Sequence, residues 1–291
     1  MSEPVLRILS PGLGATVQDL GRPGWKRFGV PPGGAMDPHA AEWANRLLDN
    51  PPGAPVLELL LQGARLEVLR DCWIAITGAD AGTAAPVWRA HHANTGEVIE
   101  FPRGRSGVWT YVAVAGGFAA PRWLGSASAY PRGGLGAIFR TGDELFRSIS
   151  SDFQMPRGVT GRSVPVSERR DYNLPHALRI WRAPQWDDFD RVARAAFFSQ
   201  EWRVTSQCDR VGYRLSGDAL RWRVASIISE STLTGTVQIP ADGQPIVTMR
   251  DGPTVGGYPK LGVIDAADFS WLAQCRPGTM VRFELHPDAT R

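Results

Sequence analysis

Lysine is nearly absent from this 291-residue chain: Lys26 and Lys260 stand among 32 basic residues, the other thirty being arginine. Where a generic surface cation suffices, the chain writes arginine. An amine kept in GGYPK, Gly256 to Lys260, therefore points to a need for a compact point charge or for a group whose pKa can be lowered. Lys26, in RPGWKRFG beside Arg27, has a weaker claim and reads as solvated. Cysteine is scarce as well. Cys72, Cys208 and Cys275 are odd in number and far apart, which excludes a CxxC metal pair and a disulfide framework and fits a reducing, cytoplasmic setting. No basic region leads into an apolar run at the start, and no window is long enough to span a bilayer, so neither a leader nor a membrane partner is expected. The net charge of +3 comes without a polybasic block, so nucleic acid is not an expected partner.

Several chemistries are missing too. None of the five histidines lies in a motif, there is no GxSxG elbow, and no Met-Lys pair marks a biotin acceptor. His91 and His92 are adjacent, so they would face opposite sides of a strand, and they read as surface residues. Neither a Walker loop nor a metal-ligand set is found, so no metal is expected, and an ATP-using activity would need partner chains or a nucleotide site of another kind.

What is present is an ordinary globular composition, 43% apolar and 21% charged, with 32 glycines and 23 prolines. From Val56 to Gly117 the pattern is short strands, VLELLL, ARLEVL, CWIAITGA, GEVIEF and VWTYVAVAGG, which points to a barrel or sandwich. Asp37 as N-cap and Pro38 at the first position begin a helix with the apolar stripe Ala40, Trp43, Ala44, Leu47 and Leu48. Residues 148–175 turn polar and irregular, the best candidate boundary between two halves. After it LRIWRAP reads as a strand, DDFDRVARAAFFSQ as a second helix, WRVTSQCDRVGYRLSG as a hairpin, and ALRWRVASIIS and MVRFELHP as further strands. The chain is thus expected to be mainly β, with an N-terminal half over 1–150, a linker over 151–175 and a C-terminal half over 176–291, each half carrying one main helix.

The stretch from Ile228 to Ile264 concentrates the polar chemistry. TVQIP and PIVTM read as strands joined by Ala241-Asp242-Gly243-Gln244, an Asp-Gly hairpin signal. Gly256 and Gly257 allow a tight barrel corner or a close approach to a ligand, and Tyr258 and Lys260 follow at once. Glu230, Gln238 and Asp242 can line one mouth with Tyr258 and Lys260, the carboxylate as base or anchor and the ammonium against a developing oxyanion. Arg210 either pairs with Asp209 to fix a strand connection or binds substrate. A second Gly-rich loop, Leu124 to Gly142, offers hydroxyls at Ser126, Ser128 and Tyr130 whose surroundings suit an anion.

Four motifs together, SPGLGATVQDLGRPGWKRFGVPPGGAMDP (Ser10 to Pro38), LGSASAYPRGGLG (Leu124 to Gly136), SQCDRVGYRLSG (Ser206 to Gly217) and the Ile228 to Ile264 stretch, closely resemble the C component of bacterial ATP-dependent 5-oxoprolinase, also described as allophanate hydrolase subunit 2 or the biotin-dependent carboxyltransferase-like family. The resemblance implies two cyclophilin-like β-barrels. It implies partnership with a subunit-B-like chain and the A component of 5-oxoprolinase in opening 5-oxo-L-proline to glutamate with ATP, a cofactor expected to involve the partner chains. For that activity the residues singled out above are expected to serve as follows: Lys260, Tyr258 and Glu230 as catalytic residues, and Arg210, Gln238, Asp242, Gly256, Gly257, Ser126 and Tyr130 as substrate contacts. The alternatives it implies are a carboxyltransferase half of a biotin-dependent urea carboxylase, with biotin as cofactor, and a non-catalytic module that antagonises a kinase inhibitor. The chain departs from the family where Ala127 and Ala129 replace a usual arginine and hydroxyl, and where Gly252-Pro253 replaces Arg-Gln.

Overall fold

A computed structural model describes residues 2–148, 158–222 and 227–290. The fold is mainly β, in two compact units: Met1–Arg22 with Gly33–Asn173, and Pro23–Pro32 with Leu174–Arg291.

The first unit stacks two five-stranded antiparallel sheets. One runs in the order Val98–Phe101, Ala64–Val68, Ser2–Pro11, Glu144–Ser148, Phe118–Ala119; the other runs Ala15–Gln18, Val56–Leu60, Ser106–Val114, Cys72–Asp80, Arg89–Ala93. Alternation explains the packing: along Ala64–Val68 the first, third and fifth side chains are buried. Val5, Leu6, Ile8 and Leu66 from one sheet meet Leu57, Ile74, Ile76 and Val112 from the other in one core. Helix α1 (Pro38–Arg46) begins as its sequence dictates, with Asp37 Oδ1 accepting from the Ala40 N–H at 3.0 Å and proline in the first turn. The segment expected to be a linker lies, in its described part up to Asn173, with this unit, where the Tyr172 hydroxyl donates to Asp37 Oδ2 at 2.6 Å.

The second unit is an eight-stranded sheet that nearly closes on itself. Its order is Met280–Val281, Trp202–Cys208, Gly212–Ser216, Ile246–Thr248, Thr236–Gln238, Lys260–Ile264, Leu178–Arg182, Phe283–Leu285. The two edge strands are consecutive in sequence. MVRFELHP, which reads as one strand, breaks at Arg282: Met280 and Val281 pair with Arg203 and Trp202, whereas Phe283 to Leu285 run parallel to Leu178 to Ile180. One bend thus supplies both edge strands of the sheet, and each is kept to two or three residues, which limits the unpaired backbone that an open edge exposes.

Helix α2 (Arg191–Ser199) starts at the Asp190 N-cap and buries Ala193 and Phe197. This half carries a further helix that its sequence pattern does not announce, α3 (Ala266–Ala273). Its Asp265 N-cap accepts from Ala267, and it buries Phe269, Leu272 and Ala273 together with Asp268. The expected strand ALRWRVASIIS is not formed in its described parts, 219–222 and 227–229, and the rest of it lies outside the described residues. The Leu220 N–H is instead taken by the Gly243 carbonyl, at 3.1 Å, in the turn between the TVQIP and PIVTM strands.

Candidate functional site

The Asp-Gly hairpin forms as its sequence predicts. Val237 pairs with Val247 and Gln238 with Ile246, Gly243 takes φ 74°, and Asp242 Oδ1 accepts from the Gln244 N–H at 3.0 Å. On its other side Gln238 pairs with Lys260 at a register shift, so the amide and the amine emerge from neighbouring strands. A separate two-stranded ribbon, Glu230–Ser231 against Val255–Gly256, pairs Glu230 with Gly256. These two pairings bring Glu230, Gln238, Gly256 and Lys260 to one place in the second unit.

There Lys260 Nζ donates to Glu230 Oε1 at 2.6 Å. The lysine side chain is 4% exposed and the glutamate 41%, so the pair is buried on one side and open to water on the other. The hydrogen bond from Lys260, with another from Gln185, holds the Glu230 carboxyl below its ordinary range despite the opposing effect of desolvation. Gln185 fixes both partners: its Nε2 donates to Glu230 Oε1 at 3.0 Å, and its Oε1 faces the Lys260 N–H at 3.4 Å. Gln238 Nε2 donates to Thr248 Oγ1 at 2.9 Å. Gly256 sits so close that a Cβ there would lie 2.7 Å from Gln238 Oε1 and 3.0 Å from Thr232 Oγ1, and one on Gly257 would lie 3.2 Å from Ser229 Oγ. Glycine is therefore required at Gly256 by close approach rather than by its φ.

An ammonium has three donors, and Lys260 uses one on Glu230. The remaining two can meet a carbonyl oxygen that becomes negative during reaction, while the carboxylate accepts a proton or orients a nucleophile. Among the described residues no cluster of three or more metal-binding side chains is found.

The other expected residues are placed differently. Tyr258 is 45% exposed and its hydroxyl makes no hydrogen bond among the described residues. Asp242 is spent on its own turn. Arg210 forms a bidentate pair, Nε to Asp251 Oδ2 at 2.7 Å and Nη2 to Asp251 Oδ1 at 3.0 Å, whereas Asp209 Oδ1 accepts from the Val211 and Gly212 N–H groups. Gly252, next in the chain after Asp251, admits no side chain: a Cβ would lie 2.4 Å from Thr248 Cγ2 and 2.8 Å from the Val211 carbonyl.

Ser126 and Tyr130 belong to the first unit. Ser126 and Ser128 both donate to Asp19 Oδ1 at 2.6 Å, and the Ala127 N–H donates to Oδ2 at 2.8 Å. The loop thus already holds a carboxylate in the position an anion would take, and it does not fit a nucleotide phosphate. Ala127 and Ala129, where the family usually carries larger groups, are buried, and Gly136 approaches Ala129 so closely that a Cβ on it would lie 2.5 Å from the Ala129 Cα.

Three participants carry no usable signal in sequence. Gln185 lies 45 residues from Glu230 and in no motif. Thr232 is fully buried, and its Oγ1 has no hydrogen-bond partner among the described residues. Lys26, which reads as solvated, is half-buried: its Nζ donates to the Thr232 carbonyl, and burial pulls its pKa down. The expectation that it stands free in solvent is corrected. His91, expected at the surface, has both ring nitrogens shielded and without a partner among the described residues, and it lines a cavity of about 400 Å³ in the first unit with Gly82, Thr83 and Ile99. Burial pulls its pKa down as well.

The near-closed sheet and the paired strand ends at Gln238, Lys260 and Gly256 occur in a chain that belongs to the family of carboxyltransferase domains, subdomains A and B, whose pattern matches residues 28–285. Within that family the chain is similar to the C component of 5-oxoprolinase from Escherichia coli (strain K12), at 34% identity over 287 residues, 96% of this chain and 90% of that protein. The resemblance drawn from the four motifs is thereby borne out. The crystal structure of TTHA0988 superposes with a TM-score of 0.85 at 33% identity over 97% of this chain and 55% of that one, so the chain spans about half its length. Kluyveromyces lactis urea carboxylase superposes with a TM-score of 0.86 at 26% identity, over 97% of this chain and 27% of that one. No helix among the described residues is long and apolar enough to cross a membrane.

Proposed function

We propose that this chain is the C component of an ATP-dependent 5-oxoprolinase-type complex, in which it acts with a subunit-B-like chain and an A component to open 5-oxo-L-proline to L-glutamate. The observation that carries the reading is the buried Lys260–Glu230 pair, in a chain that shares 34% identity with a 5-oxoprolinase C component along nearly its whole length. Lys260 places its two remaining donors against the lactam carbonyl and stabilises the oxyanion that forms when the ring amide is attacked. Glu230, kept ionised by that same ammonium, accepts the proton released by the attacking nucleophile. Gln185 and Gln238 hold the pair and the adjacent backbone in register. Tyr258, which is exposed, contacts the substrate or a partner chain. ATP belongs with the partner chains, because the glycine-rich loop at Leu124 already encloses the Asp19 carboxylate.

The test is reconstitution: the chain alone releases no glutamate, and addition of both partner chains with ATP restores release. Absence of turnover from a properly assembled complex overturns the reading. The likeness to K. lactis urea carboxylase supports a second reading, a carboxyltransferase half acting with biotin on urea or a related amide. Binding of a biotinylated carrier without any lactam opening favours it over the first.

A further inference from the structure

The two lysines of the chain reach the same short segment. Lys260 Nζ meets Glu230, and Lys26 Nζ donates to the carbonyl of Thr232, two residues further on. The charge of Lys260 is compensated by Glu230 at 2.6 Å, so that pair offers a polarised donor but little net attraction for an anion. Lys26 differs: it has no carboxylate partner among the described residues, and its contact is to a neutral carbonyl. Its ammonium is half-buried, which strengthens any charge it meets, and two of its three donors are unspent. Thr232 adds a second unmet group. Its hydroxyl is completely buried and has no hydrogen-bond partner among the described residues, beside Gly256 and Gln238. A buried hydroxyl without a partner is a group that a ligand or an ordered water can complete.

We propose that Lys26 anchors the carboxylate of the substrate, dividing the work of the two lysines so that Lys260 with Glu230 acts on the amide carbonyl and Lys26 selects for a cyclic amide that also bears an acid group. The assignment rests on the lactam-opening reading above. 5-Oxo-L-proline carries its carboxylate on one side of the ring nitrogen and its carbonyl on the other, so it offers two separate acceptors to the two lysines that reach this segment. A neutral amide such as urea gains nothing from Lys26.

With just two lysines, the chain labelled with [13Cε]lysine gives two side-chain resonances, and Lys26→Arg assigns them. 5-Oxo-L-proline moves the Lys26 signal and raises its titration midpoint, whereas 2-pyrrolidinone, which lacks the carboxylate, leaves it in place. A Lys26 signal unmoved by millimolar 5-oxo-L-proline, or moved equally by acetate, overturns the anchor. In the assembled complex Lys26→Met raises KM for 5-oxo-L-proline at least about tenfold, the effect of 1.4 kcal/mol, with kcat little changed, and Lys26→Arg recovers part of the loss. Glutamate release unaffected by Lys26→Met removes the anchor and leaves the function standing. A Lys26 signal that responds to the acid in a complex without turnover keeps the anchor and removes the function.

Discussion

Replacing Asp251 decides whether Arg210 is scaffold or substrate contact. The guanidinium lies 11% exposed and the carboxylate 4%, joined by two hydrogen bonds of 2.7 and 3.0 Å. The Asp251 N–H also donates to the Arg210 carbonyl at 2.7 Å, so side chains and backbone lock the same turn. Asp251→Ala leaves the cation buried without its bidentate acceptor, and removal of one partner from a buried pair costs about 3–5 kcal/mol. At about 2–4 °C of Tm per kcal/mol for a domain of this size, the expected drop is about 6–20 °C. Arg210→Lys keeps the charge but loses the planar fork, so it destabilises by a smaller amount. Arg210→Met combined with Asp251→Leu removes both charges, and its effect falls short of the sum of the single changes by at least about 1 kcal/mol. Urea unfolding followed by tryptophan fluorescence reads every variant. Asp251→Ala within about 1 kcal/mol of the parent, or an Arg210 variant of full stability with a raised KM, would refute the structural role.

Gly256→Ala forces its methyl to within 2.7 Å of Gln238 Oε1, so the amide must swing away, the Glu230–Gly256 pairing loosens, and stability falls by about 1–3 kcal/mol with a loss of turnover; an alanine variant with parental activity contradicts the close approach. Burial pushes the thiols of Cys72 and Cys275 up to about 12, and Cys208 is half-buried, so an aromatic disulfide reagent at pH 8 titrates at most one thiol in the folded chain and all three after unfolding. Burial also raises the Asp268 carboxyl, but bonds from the Arg179 side chain and N–H and from His176 outweigh it and hold the group at about 2. Its folded pKa is depressed below 3.8, so the stabilisation is complete above that value and is lost as pH falls towards about 2, an effect of about 2 kcal/mol that Asp268→Asn removes from the acid-unfolding curve.

Strand order in neither unit can be read from sequence, but most of the strands can, because alternation survives wherever one face of a sheet is buried. Ala64–Val68 and Gly212–Ser216 show it plainly. Helix α3 escapes such a reading for the opposite reason: AADFSWLA buries five of its eight residues, so it has no polar stripe against which a 3.6-residue period stands out. ALRWRVASIIS alternates without forming a strand in its described parts, since the Leu220 N–H is claimed by a turn. At the site, the rarity of lysine singles out Lys260 correctly as a buried amine, and the nearby Glu230 and Gln238 are within reach of the same argument. Lys26 is not, because the segment that receives it lies 206 residues away and nothing local in RPGWKRFG reports burial. Arg210 illustrates a related limit, for its partner Asp251 lies across a strand pairing while the adjacent Asp209 offers the more obvious acid.

The role given to Lys260 is tested most directly by ATP-dependent glutamate release from the complex reconstituted with Lys260→Met. Loss of an oxyanion donor lowers kcat by about 10²–10³. The account predicts a fall of that size while the variant still assembles with its partner chains. Turnover within about threefold of the unsubstituted complex would contradict it.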